Sequence, residues 1–274
     1  VNNFLTPGEI GEVWITNGNK KAVLSIGKML ILGMLAGMFI GLGAYGFTLV
    51  TSGATSGFEV TVAKLVGAGV FPVGLMLVVL CGAELFTGNN LMTLSLFRKD
   101  ITFGAMLRNW GIVWVGNLIG SVLFAWLLSK SGLYGDAMVT KAVAIAQAKV
   151  AIPLGAILIR AIFCNILVVL ACWLQAGSKD MIGKIFAIWF PIMLFVFAGF
   201  EHSVANMFFL PMGLFVGADI TWAQIFINNL IPVTIGNIIG GAIIIPGAYY
   251  YSYLRKAKVD TVDAKVLEPQ KSSI

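Results

Sequence analysis

The chain reads as an all-α polytopic membrane protein. It has six transmembrane helices in two inverted three-helix repeats, with the second and fifth helices broken. Three observations carry this reading. Of 274 residues, 59% are hydrophobic and 11% charged, whereas a soluble domain carries about 25% charged residues. The apolar runs exceed the ~18 residues that mark a spanning helix, and in lipid such runs satisfy their backbone as helices. Two runs are interrupted by one polar pattern, Gly82-Ala-Glu-Leu-Phe-Thr-Gly-Asn89 and Gly199-Phe-Glu-His-Ser-Val-Ala-Asn206.

Residues 1–27 precede the membrane domain. The stretch Phe4 to Trp14 is placed along the inner membrane surface, and Pro7, Gly8 and Gly11 argue against a stable helix there. Glu9, Glu12 and Asn17, with few consecutive apolar positions, predict no signal peptide. The first span runs from about Met29 to Val50. The next apolar stretch, about Phe58 to Phe97, is too long for one straight crossing and has no loop for two. Charge decides. The loop Thr51 to Gly57 has no Lys or Arg, Lys20, Lys21 and Lys28 precede the first span, and Arg98, Lys99 and Arg108 follow the stretch. Basic loops stay cytoplasmic, so the stretch crosses once, as a helix broken near Cys81 to Asn89.

The third span, about Ala105 to Leu128, leads to an outer loop with Lys130, Asp136 and Lys141. The fourth, about Ile152 to Leu174, ends at an inner loop with Lys179, Asp180 and Lys184. The fifth, about Ile185 to Phe215, is interrupted at Ala198 to Asn206. The sixth, about Phe226 to Tyr253, meets Arg255, Lys256 and Lys258. The membrane domain is thus 28–254, both termini are cytoplasmic, and 255–274 is a polar tail, read as disordered from Val259.

The halves, about 28–128 and 149–254, match in further places. Gly116-Asn-Leu-Ile-Gly120 recurs as Gly236-Asn-Ile-Ile-Gly240, and Lys28 is paired with Lys149. Three crossings is an odd number, so the second half is inverted, an architecture of transporters and channels. Small faces such as Gly33/Gly37/Gly41 and Gly236/Gly240 predict close helix packing. Each break frees backbone N–H groups of the following half-helix, a setting suited to a small anion. Gly88 and Ala205 keep that backbone accessible, and Asn89 and Asn206 are placed as caps of the resuming half-helices. The plainer reading is that these polar residues only satisfy broken backbone.

His202 is the sole histidine. A titratable group at membrane depth is a functional candidate by default, against the plain alternative of a buried structural histidine. The net charge of +6 comes from basic residues flanking the spans, which are topology signals rather than a nucleic-acid surface. Cys81, Cys164 and Cys172 match no metal spacing and read as buried small hydrophobes. No metal cluster or nucleophile–base pair emerges, so neither an enzyme nor a cofactor is predicted. A neutral-solute channel of the aquaporin kind would show Asn-Pro-Ala at both half-helix starts, which is absent.

With these residues in view, the chain resembles the formate/nitrite transporter family over about residues 20–255. The resemblance is carried by Lys64-Leu-Val-Gly67, the segment Cys81 to Gly88, Gly199 to Phe208 with Pro211-Met-Gly213, and Asn229 to Gly240. The wording is most similar to the hydrosulfide channel branch. The resemblance implies an aquaporin-like fold and a homopentamer with one pore per protomer in the cytoplasmic membrane. The implied ligands are small monovalent anions: hydrosulfide, formate or nitrite. It implies His202 as the central pore histidine, faced by Thr87, with Asn165 nearby, and Lys149 as the lysine that draws anions into the outer funnel. Phe71, Leu75, Leu85 and Phe195 match its apolar constrictions. Glu84 and Glu201 would be unfavourable facing an anion, so with Asn89 and Asn206 they are expected to support the broken helices. Two mechanisms stay open: His202 shares a proton with the passing anion, or it is a fixed polar contact.

Overall fold

The computed structural model describes residues 4–255, and the expected disordered tail lies outside them. Helix α1, Pro7–Ala22, forms despite its glycines. Thr6 and Glu9 make a reciprocal capping box, and Pro7 sits where its missing N–H is not needed. Gly11 serves packing, since a Cβ there would lie 2.7 Å from Leu254. The expectation that Pro7, Gly8 and Gly11 argue against a stable helix is corrected on that ground.

The spanning helices are α2 (Ile26–Thr51), α3 (Gly57–Leu80), α5 (Phe103–Ser129), α7 (Leu154–Gly177), α8 (Met181–Ala198) and α10 (Trp222–Leu254). After α3 a half-helix, α4, resumes through Phe86–Asn89, a 3-10 turn and Thr93–Phe97. After α8 its counterpart α9 spans Ser203–Phe215. Helix α6, Asp136–Val150, occupies what read as an outer loop. It buries Met138, Ala142 and Ala146, and Gly213 of α9 lets its backbone approach, with Ala142 O 3.0 Å from where a Cβ would stand.

The broken stretch crosses once, as expected. Gly57 follows the end of α2, whereas Arg98 beyond α4 pairs with Glu12 of α1, on the side where α2 begins. Both ends of the described chain lie on that α1 face: Leu5 N–H bonds Gly177 O at 2.9 Å, and Leu254 packs on Gly11. Helix α6 marks the opposite face.

Helices α1–α5 repeat as α6–α10. Crossing helices meet through glycine in both units: Gly116 would bring a Cβ to 2.9 Å from Leu30 O, and Gly236 to 2.8 Å from Leu158 O. Interhelical gain in lipid comes from such close packing. The duplication also corrects one pairing: Lys21 at the end of α1, not Lys28, stands where Lys149 stands at the end of α6.

Candidate functional site

Each break begins at a glycine with positive φ, Gly82 (86°) and Gly199 (78°), a conformation that disfavours other L-residues by roughly 1–2 kcal/mol. The chain then runs extended to Leu85 and His202, and the half-helices start at Phe86 and Ser203. Their freed N–H groups are served from neighbouring helices. Phe86 N–H donates to Asn117 Oδ1 and Ser203 N–H to Asn237 Oδ1, both at 2.9 Å. Asn117 donates in turn to Gly33 O (2.8 Å) and Glu84 O (2.9 Å); Asn237 donates to Ala161 O (2.8 Å) and Glu201 O (3.0 Å). These are the asparagines of the repeated Gly-Asn-x-x-Gly pattern.

Asn89 and Asn206 are therefore not caps. The half-helices resume before them, so their side chains are free to bond sideways. Asn89 donates to Glu84 Oε2 (2.7 Å) and Asn109 Oδ1 (2.8 Å), and Asn206 to Glu201 Oε2 and Asn229 Oδ1, both at 2.7 Å. The same two carboxylates meet lysines. Lys21 Nζ lies 2.5 Å from Glu84 Oε1, and Lys149 Nζ lies 2.8 and 2.9 Å from the two oxygens of Glu201. Glu84 and Glu201 are buried, so these cations offset charges that would otherwise face an anion unpaired.

At the centre the two breaks touch: Thr87 Oγ1 and His202 Nε2 are 2.8 Å apart, both buried. The tautomer follows from the other ring nitrogen. His202 Nδ1 accepts the Ala205 N–H at 3.2 Å, capping α9. A backbone N–H only donates, so Nδ1 is bare, the hydrogen sits on Nε2, and Nε2–H donates to Thr87 Oγ1. The Thr87 hydroxyl hydrogen is left over for a further acceptor. Asn165 makes no hydrogen bond to His202. Its Nδ2 lies near Thr87 O (3.4 Å), Asn90 Oδ1 (2.8 Å) and Asn237 O (2.8 Å), bridging the two breaks.

Phe71, Leu75, Leu85, Phe195 and His202 do come together, around a cavity of about 10 Å³ that Ile40, Val168 and Ile192 complete. That is room for about one water molecule. The Phe71 and Phe195 rings meet edge-on at 5.6 Å, and Phe195 lies 5.7 Å from the His202 ring. Leu75 and Leu85 also line a vestibule of 540 Å³ that includes Lys20, Lys21 and Glu84 of the α1 side. Phe71, Phe195 and His202 line a second, of 360 Å³, together with Lys149 and Glu201 of the α6 side. The collar thus has leucines toward α1 and phenylalanines toward α6, a sidedness that the sequence could not supply.

Cys164 and Cys172 are buried as expected, but Cys81 is exposed, because α3 ends there and the chain turns into the break. Sequence reasoning missed Lys21, Asn109, Asn117, Asn229 and Asn237 as site residues. The repeated Gly-Asn-x-x-Gly was the available signal for two of them.

A profile described as "Formate/nitrite transporter" matches residues 8–251. A probable formate transporter of Methanothermobacter thermautotrophicus is 43% identical, covering 93% of this chain and 99% of its own. A formate channel of Bacillus thuringiensis is 41% identical, covering 92% and 97%. Among solved structures, a pentameric formate channel with formate bound superposes with a TM-score of 0.75 at 32% identity, over 84% of this chain and 98% of the other.

Proposed function

Because this chain belongs to the formate/nitrite transporter family, whose members move solutes rather than catalyse reactions, we propose that it conducts small monovalent anions of the formate type. The observation that carries this reading is the Thr87–His202 pair, held beside a narrow apolar collar that separates two lysine-bearing vestibules. A bare anion in an apolar ring loses its hydration at large cost. The spare Thr87 hydroxyl hydrogen is the donor that this geometry leaves free to replace part of that water.

On this reading His202 is the fixed polar contact of the pore centre. A second proton on the ring would have to enter at Nδ1, opposite the Ala205 N–H donor, and would break the α9 cap. The proton-sharing alternative predicts a different outcome for His202→Asn, which keeps a capping side chain. Under the polar-contact reading, purified His202→Asn in liposomes retains formate flux with the wild-type pH profile. A flux collapse with loss of pH dependence overturns it.

We place formate first, since the relatives cited above that name a substrate name formate. Hydrosulfide is the second candidate, favoured by the one-water size of the collar cavity. Parallel swelling or flux assays with formate, nitrite and hydrosulfide rank them. Absence of flux for all three sinks the channel reading. We further assign a homopentamer with one pore per protomer in the cytoplasmic membrane, by likeness to the pentameric formate channel. The α1 face is assigned to the inside, since Lys20, Lys21, Lys28, Arg98, Lys99 and Arg108 gather there. The conducting unit is 28–254 together with α1.

A further inference from the structure

Lysine 149 was the expected anion attractor, but its charge is committed to Glu201. Two other cations line the same vestibule, half-buried Lys64 of α3 and exposed Arg160 of α7. Both sit within spanning helices. Among the described residues no carboxylate lies within ion-pair distance of either. Lys64 Nζ rests 5.5 Å from the Phe197 ring centroid, a weak counterweight to a full charge. Three cations against one carboxylate leave this 360 Å³ space positive. Basic side chains without an ion pair near the outer ends of spanning helices raise the local anion concentration at the mouth they line.

We propose that Lys64 and Arg160 form the anion-recruiting subsite of the α6-face vestibule, where a small monovalent anion waits outside the Phe71–Phe195 collar, while Lys149 is a structural partner of Glu201. The guanidinium offers two parallel N–H donors to one carboxylate, and the ammonium adds a compact charge. The subsite acts on the anion before dehydration, so it raises local concentration and not the passage through the collar. This rests on the anion-channel reading above.

The test uses the full chain in zwitterionic vesicles, with formate entry measured over a concentration series at about 10 mM and about 1 M ionic strength, where the screening length falls from ~30 to ~3 Å. Wild type is compared with Lys64→Gln, Arg160→Gln, the double variant and Lys64→Arg. The expected result is a roughly three- to tenfold loss of sub-saturating flux in the double variant at low ionic strength, each single variant losing less. The loss is read as a raised half-saturating concentration, the gap narrows at high salt, and Lys64→Arg is the mildest change. Equal flux at low salt, or a deficit unchanged by salt, overturns the proposal. If the double variant fails to assemble by size exclusion, the single variants at both salts give the same decision. Absence of formate, nitrite and hydrosulfide flux in wild type instead sinks the channel reading.

Discussion

At the scale of single residues, two side chains that look alike in sequence do different work. Lys149 and Lys64 both lie at the α6-face vestibule, but only Lys149 is bound to a carboxylate. Removing one member of a buried pair leaves the other charge without compensation, at a cost of about 3–5 kcal/mol. Lys149→Ala is therefore expected to lower the thermal unfolding temperature of the purified protein markedly. Lys149→Met combined with Glu201→Gln should recover much of it, and an unimproved double variant contradicts the pairing. Thr87 gives a second prediction. Thr87→Val keeps shape but removes the acceptor of His202 Nε2–H and the spare donor. A hydrogen bond to an ion is worth about 1.5–3 kcal/mol, so stopped-flow formate flux should fall by about tenfold or more, with Thr87→Ser largely restoring it. His202 and Thr87 were legible from the mirrored motif together with the family resemblance. Lys64 and Arg160 were not, because which cation is free depends on carboxylates distant in sequence.

At the scale of elements, the breaks depend on their neighbours. Asn117 and Asn237 each join a half-helix start, a crossing helix and a break carbonyl in the same pattern. Asn117→Leu and Asn237→Leu should then destabilise to similar extents in thermal melts, and a large inequality argues against equivalent repeats. Helix α1 gives a pH prediction. Asp100 accepts from Arg98 and Asn19, which hold its carboxyl below the usual carboxylate range, and Arg98 also pairs with Glu12 of α1. A lowered folded value means that this contribution is present above the unfolded value of ~3.9 and is lost as pH falls through the folded one. Protection of α1 amides, corrected for intrinsic exchange, should fall below about pH 4, and Asp100→Asn should diminish that step, the Glu9 capping box contributing the remainder. The sequence missed α1 and α6 as helices for separate reasons. The α1 glycines answer to packing against distant residues, and α6 is too short for a span, with Asp136, Lys141 and Lys149 giving it the look of a loop.

At the scale of the molecule, the six spans and both interruptions were readable because lipid imposes a local rule: long apolar runs cross, and polar gaps inside them need a reason. The two ends of the described chain share a face because each unit crosses three times. A cysteine introduced at Leu5 or Tyr251, on the α1 face, should label with impermeant maleimide only from inside in oriented vesicles. Outside labelling reverses the assignment made from charge.

Asn165 joins the backbone carbonyls of Thr87 and Asn237 and the Asn90 side chain within one hydrogen-bond cluster. Any rocking of one unit against the other would have to rupture this stitch and the Thr87–His202 bond together, with nothing at the centre to replace them. On the channel reading, opening is expected from rotamer steps of the buried Leu85, Phe71 and Phe195, which leave both links intact, rather than from a swing of whole units. The kinetic signature is a conduit without a return stroke: preloading vesicles with formate should not accelerate entry of labelled formate, whereas an obligatory exchanger would speed up.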